Sequence, residues 1–221
     1  MPIGYYLLPP RFTQFYGKRR NTQFTMFDVG CGNHSPSLTK HWFPQCRYIG
    51  LDREAYNNNE RDFAAMEKFV KAELTLDVLA GIEDSSFDVI MLVHVLEHLP
   101  KAEGLSVLAS LCRKLKPRGD FYIEFPSPRS LTLPSGIGTL NFYDDATHVH
   151  LPDAEQVRGV LAEDGVRVVR AGRRRNWPRL LLSPLSLPLQ AYTLLRYRKL
   201  YAPMLWDLVG FADFVYGEKR A

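Results

Sequence analysis

The run Phe87-Asp88-Val89-Ile90-Met91-Leu92-Val93 constrains this chain more than any other stretch. A strand with one wet face alternates apolar and polar residues, whereas a strand covered on both faces reads as an almost unbroken apolar run. This run is of the second kind, so helices must cover both faces of its sheet. Strand candidates at residues 24–29, 47–51, 71–74, 120–125, 167–171 and 214–217 alternate with helix candidates at 35–42, 60–70, 101–115 and 153–163. Parallel neighbours need crossover connections, which the intervening helices supply. The expected class is α/β, a mostly parallel sheet with helices on both faces, in one domain spanning residues 1–221. Ser35-Pro36 offers an N-cap and a first-turn proline for the first long helix, and Pro117 with Gly119 is expected to stop the helix at 101–115.

Composition removes several classes. At 221 residues and 46% hydrophobic content, the chain can bury a large core without disulfides or a structural metal. Its three cysteines, Cys31, Cys46 and Cys112, show no zinc-ligand spacing and no even disulfide count, which fits a reducing cytoplasm. No cationic leader precedes the first apolar residues, so no signal peptide is expected. Residues 180–195 are the most apolar, but Pro184 and Pro188 interrupt them and the stretch is too short to span a bilayer. It reads as a membrane-surface segment at the inner face of a membrane, as a subdomain edge or as a dimer face. The net charge is only +4, yet residues 165–201 carry nine cations and no acid. Such a block attracts anionic partners, although no RNA-binding motif accompanies it and nucleic acid is not expected.

In sheets of this class, ligands bind beyond the carboxyl ends of the strands. Phe27-Asp28-Val29-Gly30-Cys31-Gly32-Asn33 places two glycines at the first such end, where backbone can approach a ligand closely and amides point outward. Asp52 closes the second strand candidate 20 residues after Gly32, where a carboxylate can accept from both hydroxyls of a ribose. Together these point to a cofactor containing a nucleoside. Ser35 stands where a dinucleotide fingerprint wants a third glycine or alanine, and Asp28 is a poor neighbour for phosphates, so a nicotinamide oxidoreductase is disfavoured.

The successive motifs FDVGCGN, YIGLD, SFDVIMLVHVLEHLP and LCRKLKPRGDFYIEFPSP resemble those of class I S-adenosylmethionine-dependent methyltransferases, type 11-like members above all. The resemblance covers about half the chain and implies a Rossmann-like sheet of seven strands, the last antiparallel, with residues 211–220 placed to be that strand and 178–208 a helical insertion between the last two. It implies S-adenosylmethionine as cofactor, with Asp28, Gly30, Gly32 and Asn33 around its methionine part and Asp52 with Arg53 at the ribose. Glu73 and Leu74, or Asp77 instead, would border the adenine, and His94 would line the floor.

Methyl transfer to oxygen also needs a base. One candidate is His98 of the Glu97-His98 pair, whose other reading is a hydrogen bond at a helix start. The second is the loop NFYDDATHVH at 141–150, which crowds acids, imidazoles and a phenol together. His148 is the expected base, with Asp144 or Asp145 orienting it, because imidazole titrates near working pH. Asp144, His148 and His150 are a weaker candidate for a metal, and no metal is assigned. The Asp-x-Thr-His stretch resembles one in bacterial methyltransferases of cell-surface glycan synthesis, which implies a saccharide hydroxyl, anionic or lipid-linked, as acceptor. A module that binds the cofactor without catalysis is the alternative.

Overall fold

The computed structural model describes residues 7–136, 139–200 and 205–221, so residues 1–6 of the N-terminal stretch and 201–204 of the expected insertion lie outside the described residues. Seven strands form one sheet: β1 (Phe24–Val29), β2 (Cys46–Asp52), β3 (Lys68–Lys71), β4 (Phe87–Val93), β5 (Leu115–Pro126), β6 (Val166–Arg173) and β7 (Ala212–Lys219). Their order is β3-β2-β1-β4-β5-β7-β6, with β7 antiparallel to both its neighbours and the pairs from β3 to β5 parallel. The direction of the order reverses between β1 and β4, so the carboxyl ends of these two strands flank the crevice in which such sheets bind ligands.

Strand alternation divides the core. Phe27, Val29, Ile90, Leu92 and Ile123 face α5 (Leu76–Ala80), α6 (Lys101–Lys114) and α7 (Ala154–Glu163). Met26, Tyr48, Val89, Met91 and Tyr122 face the other way, where α1 (Pro10–Thr13) and α2 (Tyr16–Arg19) pack beside α3 (Ser35–Trp42). Phe12 and Phe15 there close on Phe43 at 5.2 and 5.4 Å between ring centroids. Each such ring removed from water contributes roughly 1.5–3 kcal/mol. Asp120, fully buried, ties this corner to β5 by accepting from Lys18 at 3.1 Å, Arg19 at 2.8 Å and the Tyr216 hydroxyl at 2.8 Å.

Four sequence expectations shift. The helix expected at 60–70 ends early, as α4 (Glu60–Ala64), because Lys68-Phe69-Val70-Lys71 alternates and pairs with Ile49 to Asp52. That pairing displaces the third strand from 71–74 and leaves Glu73 and Leu74 in the loop after it. β5 starts at Leu115, so Pro117 and Gly119 lie within a strand, where the β4 register shifts between Phe87 and Val89. Ser35 is the first helical residue of α3; its cap is His34, in the left-handed region at φ 60°. Between β6 and β7 come α8 (Trp177–Leu182), a 3-10 turn at Ser183–Ser186, α9 (Leu187–Tyr197) and α10 (Trp206–Val209).

Candidate active site

The glycine turn after β1 is built for close approach. Gly30 has φ 78°, and a Cβ there would lie 2.4 Å from Cγ2 of Val95, just past β4. A Cβ on Gly32 would lie 2.8 Å from the Tyr56 ring. The turn is braced from the loop after β2: Asn33 N–H donates to Tyr56 O at 2.8 Å and His34 N–H to Asn58 Oδ1 at 3.0 Å, while Asn58 Nδ2 donates to Cys31 O at 3.0 Å. Gly30 N–H donates to Leu51 O at 2.8 Å and Ser35 N–H to Gly32 O at 3.1 Å. Most of the amides expected to point outward are therefore spent inside. Tyr56 and Asn58 escaped the sequence reading because their partners are distant in sequence and asparagine-rich loops look solvated.

Asp28 does not line the turn's surface as expected. It is 1% exposed, and its Oδ2 accepts from the Ser35 hydroxyl at 2.5 Å and from the Tyr48 hydroxyl. Burial raises its pKa against the opposing pull of Arg11 and of these two donors. Its role is to fasten β1, β2 and α3 beneath the turn. Asp52, half-buried at the end of β2, accepts from Glu54 N–H through Oδ1 at 3.3 Å, and Arg53 is exposed beside it. Glu73 is exposed and Leu74 packs against the core.

A nucleoside cofactor fits this end of the sheet. A carboxylate with one oxygen uncommitted among the described residues stands at the end of β2, beside a turn that tolerates no side chain at either glycine. Asp52 and the Gly30–Asn33 turn are the residues that would hold it.

Beyond β4, His94 adopts φ 55° and its ring bonds on both sides, Nδ1 to Glu97 Oε1 at 3.0 Å and Nε2 to Glu124 Oε1 at 3.2 Å. Burial opposes a charge on this ring, but the bonds to Glu124 and Glu97 and the charges of those carboxylates prevail and raise its pKa to about 9. Glu124 moves the other way, to about 2: its burial is outweighed by Arg174, His94 and Tyr122. Arg174 Nη1 lies 3.5 Å from Glu124 and Nη2 3.4 Å from buried Asp207, which also meets Arg179 at 3.5 Å. An ion network thus runs from the residue after β4 through β5 and the residue after β6 into α10, and His94 is its imidazolium. With both nitrogens engaged, His94 positions the segment after β4.

This network corrects the reading of the basic block. Arg174 is 11% exposed beneath the site, and Arg175 donates to Asp207 O at 3.0 Å. Arg173 crosses Gly210, where a Cβ would lie 2.4 Å from its Cδ. Arg174 and Arg175 serve internal contacts, while Arg173 stays exposed.

The two sets of candidate bases, 50 residues apart in sequence, converge. Val149 N–H donates to Glu97 O at 2.8 Å and the His98 and His148 rings stand 4.9 Å apart. His148 Nδ1 donates to Phe142 O at 2.6 Å, so its Nε2 carries the lone pair. The Thr147 hydroxyl donates to Asp145 Oδ1 at 2.6 Å and accepts from His98 Nδ1 at 2.9 Å, which leaves the lone pair of His98 on Nε2 as well. Asp144 takes no part. Its oxygens accept from Ser135, Gly136, Leu140 and Asn141, and these donors hold its carboxyl below the ordinary range despite partial desolvation. The orienting group of His148 is therefore the Phe142 carbonyl, and Asp145 lies 4.0 Å from its Nε2. His150 Nδ1 donates to Leu99 O at 2.7 Å.

Glu97 is fully buried, and its Oε2 has no hydrogen-bond partner among the described residues. One donor atom each from Glu97, His98 and His148 lies within 4.8 Å of the others. Two imidazoles whose Nδ1 atoms are held by outer partners, beside an unsatisfied carboxylate oxygen, can accept a divalent cation or a proton. The metal-ligand combination of Asp144, His148 and His150 does not assemble, because Asp144 is committed to its loop.

A family model described as a methyltransferase domain matches residues 5–171. A crystal structure of an S-adenosylmethionine-dependent methyltransferase from Archaeoglobus fulgidus superposes with a TM-score of 0.61 at 21% identity, covering 95% of this chain and 91% of that one. The 1,6-didemethyltoxoflavin-N1-methyltransferase of Burkholderia thailandensis, solved with 1,6-didemethyltoxoflavin and S-adenosylhomocysteine, superposes with a TM-score of 0.57 at 13% identity, covering 96% of this chain and 77% of that one. The sterol 24-C-methyltransferase of Kluyveromyces lactis is 28% identical over 102 residues, which are 44% of this chain and 27% of that protein.

Proposed function

The chain belongs to the methyltransferase-domain family, and from that premise we propose that it is an S-adenosylmethionine-dependent methyltransferase that methylates a hydroxyl oxygen of a saccharide presented on an anionic or lipid-linked carrier, with His148 as the base. The observation that carries the reading is the pairing of His98 and His148, each with its Nε2 lone pair uncommitted, beside the segment that leaves β4. Bound S-adenosylmethionine supplies an electrophilic methyl group. The protein's share is alignment and proton removal, since positioning alone can lower such a barrier by roughly 7–11 kcal/mol. Asp52 would hold the ribose, the Gly30–Asn33 turn would lie against the methionine part, and Leu74 would border the adenine. His148 Nε2 takes the hydroxyl proton while Phe142 O holds the ring through Nδ1. The emerging imidazolium is balanced by Asp145 at 4.0 Å. Oxygen rather than nitrogen is favoured as the acceptor atom because a hydroxyl must lose its proton during attack, and this site provides for that.

The unsatisfied Glu97 Oε2 favours a second reading of the same cluster, in which a divalent cation on Glu97, His98 and His148 lowers the acceptor hydroxyl's pKa. Activity measured across a panel of saccharide acceptors, with and without chelator, separates the two. Chelator-resistant turnover that rises with pH and is lost in His148→Ala supports the base. Turnover abolished by chelator and restored by manganese supports the cation. Adenosylhomocysteine binding with no transfer to any acceptor would leave a cofactor-binding module.

A further inference from the structure

The segment between β6 and β7 breaks the rule that leucines are covered. Leu181, Leu185 and Leu195 are 80%, 76% and 78% exposed, and Trp177, Tyr192 and Tyr197 are exposed beside them. Along α9 only Gln190 is buried, although the helix carries four leucines among its eleven residues. A helix so apolar is normally covered by protein or lipid, and contiguous apolar surface on a water-facing domain marks a contact. Inward the segment is anchored through polar groups: Asn176 N–H donates to Asp207 Oδ1 at 3.0 Å and Arg179 meets the same carboxylate. The leucines are thus held out on a fixed platform.

Charge decides what covers them. Arg196, Arg198 and Lys199 are exposed at the end of α9, and from Gly165 to Trp206 the sequence contains no acid. A second copy of the chain meeting this face about a two-fold axis would set cations against cations with nothing on the face to neutralise them. An anionic bilayer answers both halves of the surface: acyl chains take up the leucines, the interface takes up Trp177 and the tyrosines, and headgroups pair with the cations. No helix among the described residues is long and apolar enough to cross a membrane. The geometry points to α8 and α9 as a peripheral membrane-binding face that lies flat on anionic lipid.

The full chain sedimented with phosphatidylcholine vesicles, and separately with vesicles of phosphatidylcholine and phosphatidylglycerol, tests this without any methyl-transfer assay, so its failure leaves the acceptor reading untouched. Wild type is expected to partition to the anionic vesicles, less so at raised salt, and not to the neutral ones. Replacing Arg196, Arg198 and Lys199 by glutamine should weaken partition about fivefold per cation. Leu181→Ser, Leu185→Ser and Leu195→Ser combined should abolish it. None of these side chains touches the glycine turn, so unchanged adenosylhomocysteine binding checks that the variants fold. Absence of binding to anionic vesicles, equal binding to both kinds, or a concentration-dependent dimer that the serine variant dissolves while vesicles are ignored would each overturn the inference.

Discussion

Unfolding measured against pH tests the buried imidazolium of His94. Its folded pKa of about 9 stands above the 6.5 of a free histidine. The folded state therefore binds this proton more tightly than the unfolded chain, and acid favours folding. The contribution is complete below pH 6.5 and is lost as pH rises through 9. At about 1.4 kcal/mol per pH unit, the interval from 6.5 to 9 is worth about 3.5 kcal/mol before solvent screening. The side chain is 22% exposed, so solvent screening removes only part of it. Urea titrations between pH 6 and 9, at constant ionic strength and with a chelator to keep adventitious metal from Glu97, should show wild type losing this stability. His94→Asn is the control. Asparagine accepts the left-handed backbone at φ 55° but is too short to bridge Glu97 and Glu124. Its profile should omit the histidine's share of the slope and approach that of wild type near pH 9. The buried thiols, whose pKa values also rise on folding, contribute equally to both proteins and cancel. Parallel profiles for the two proteins would refute the charged ring.

Asp52→Ala should weaken adenosylhomocysteine binding by about 1.5–3 kcal/mol, roughly ten- to a hundredfold, through loss of a charge-assisted ribose contact; calorimetry reads it, and an unchanged dissociation constant would remove Asp52 from the site. His148→Ala should cut turnover about a hundredfold or more while leaving adenosylhomocysteine affinity close to wild type, and equal losses in both would make the residue structural. Gly30→Ala should cost roughly 2 kcal/mol or more of stability, since the new Cβ meets Val95 Cγ2 at a positive φ; thermal melts check this. Arg174→Met should destabilise by about 3–5 kcal/mol by leaving Glu124 and Asp207 without their shared cation, and a melting temperature like that of wild type would show the network to be dispensable.

Most of the sheet was legible because its strands announce themselves locally. β1 and β4 occupy the expected residues, 24–29 and 87–93, since each is an apolar run bounded by turn residues. β3 was misplaced because four residues with lysine at either end have little hydrophobic signature, and only their pairing with β2 defines them. The candidate site divides in the same way. Gly30, Gly32 and Asp52 could be read from spacing along one βαβ unit. The meeting of His98 with His148 could not, because it depends on a hydrogen bond between Val149 and Glu97 that no local pattern encodes.

The basic block carries the point furthest. Counting charge along residues 165–201 treats nine cations alike, although the acids that answer some of them lie elsewhere in sequence. Glu124 on β5 and Asp207 on α10 draw Arg174 inside, and Asp207 also engages Arg179. Arg196, Arg198 and Lys199 stay exposed on the leucine-bearing face. The block is therefore two devices with one composition. Its inner part clamps the floor of the site through Glu124 and His94, and its outer part carries unbalanced charge to the surface. Asp207 stands between them, accepting from Asn176 at the start of α8 while facing Arg174. Polar contacts thus run from the start of α8 through Asp207, Arg174, Glu124 and His94 to Glu97. Removing Asp207 should loosen the helical platform and the post-β4 turn together, whereas removing Arg198 should affect neither.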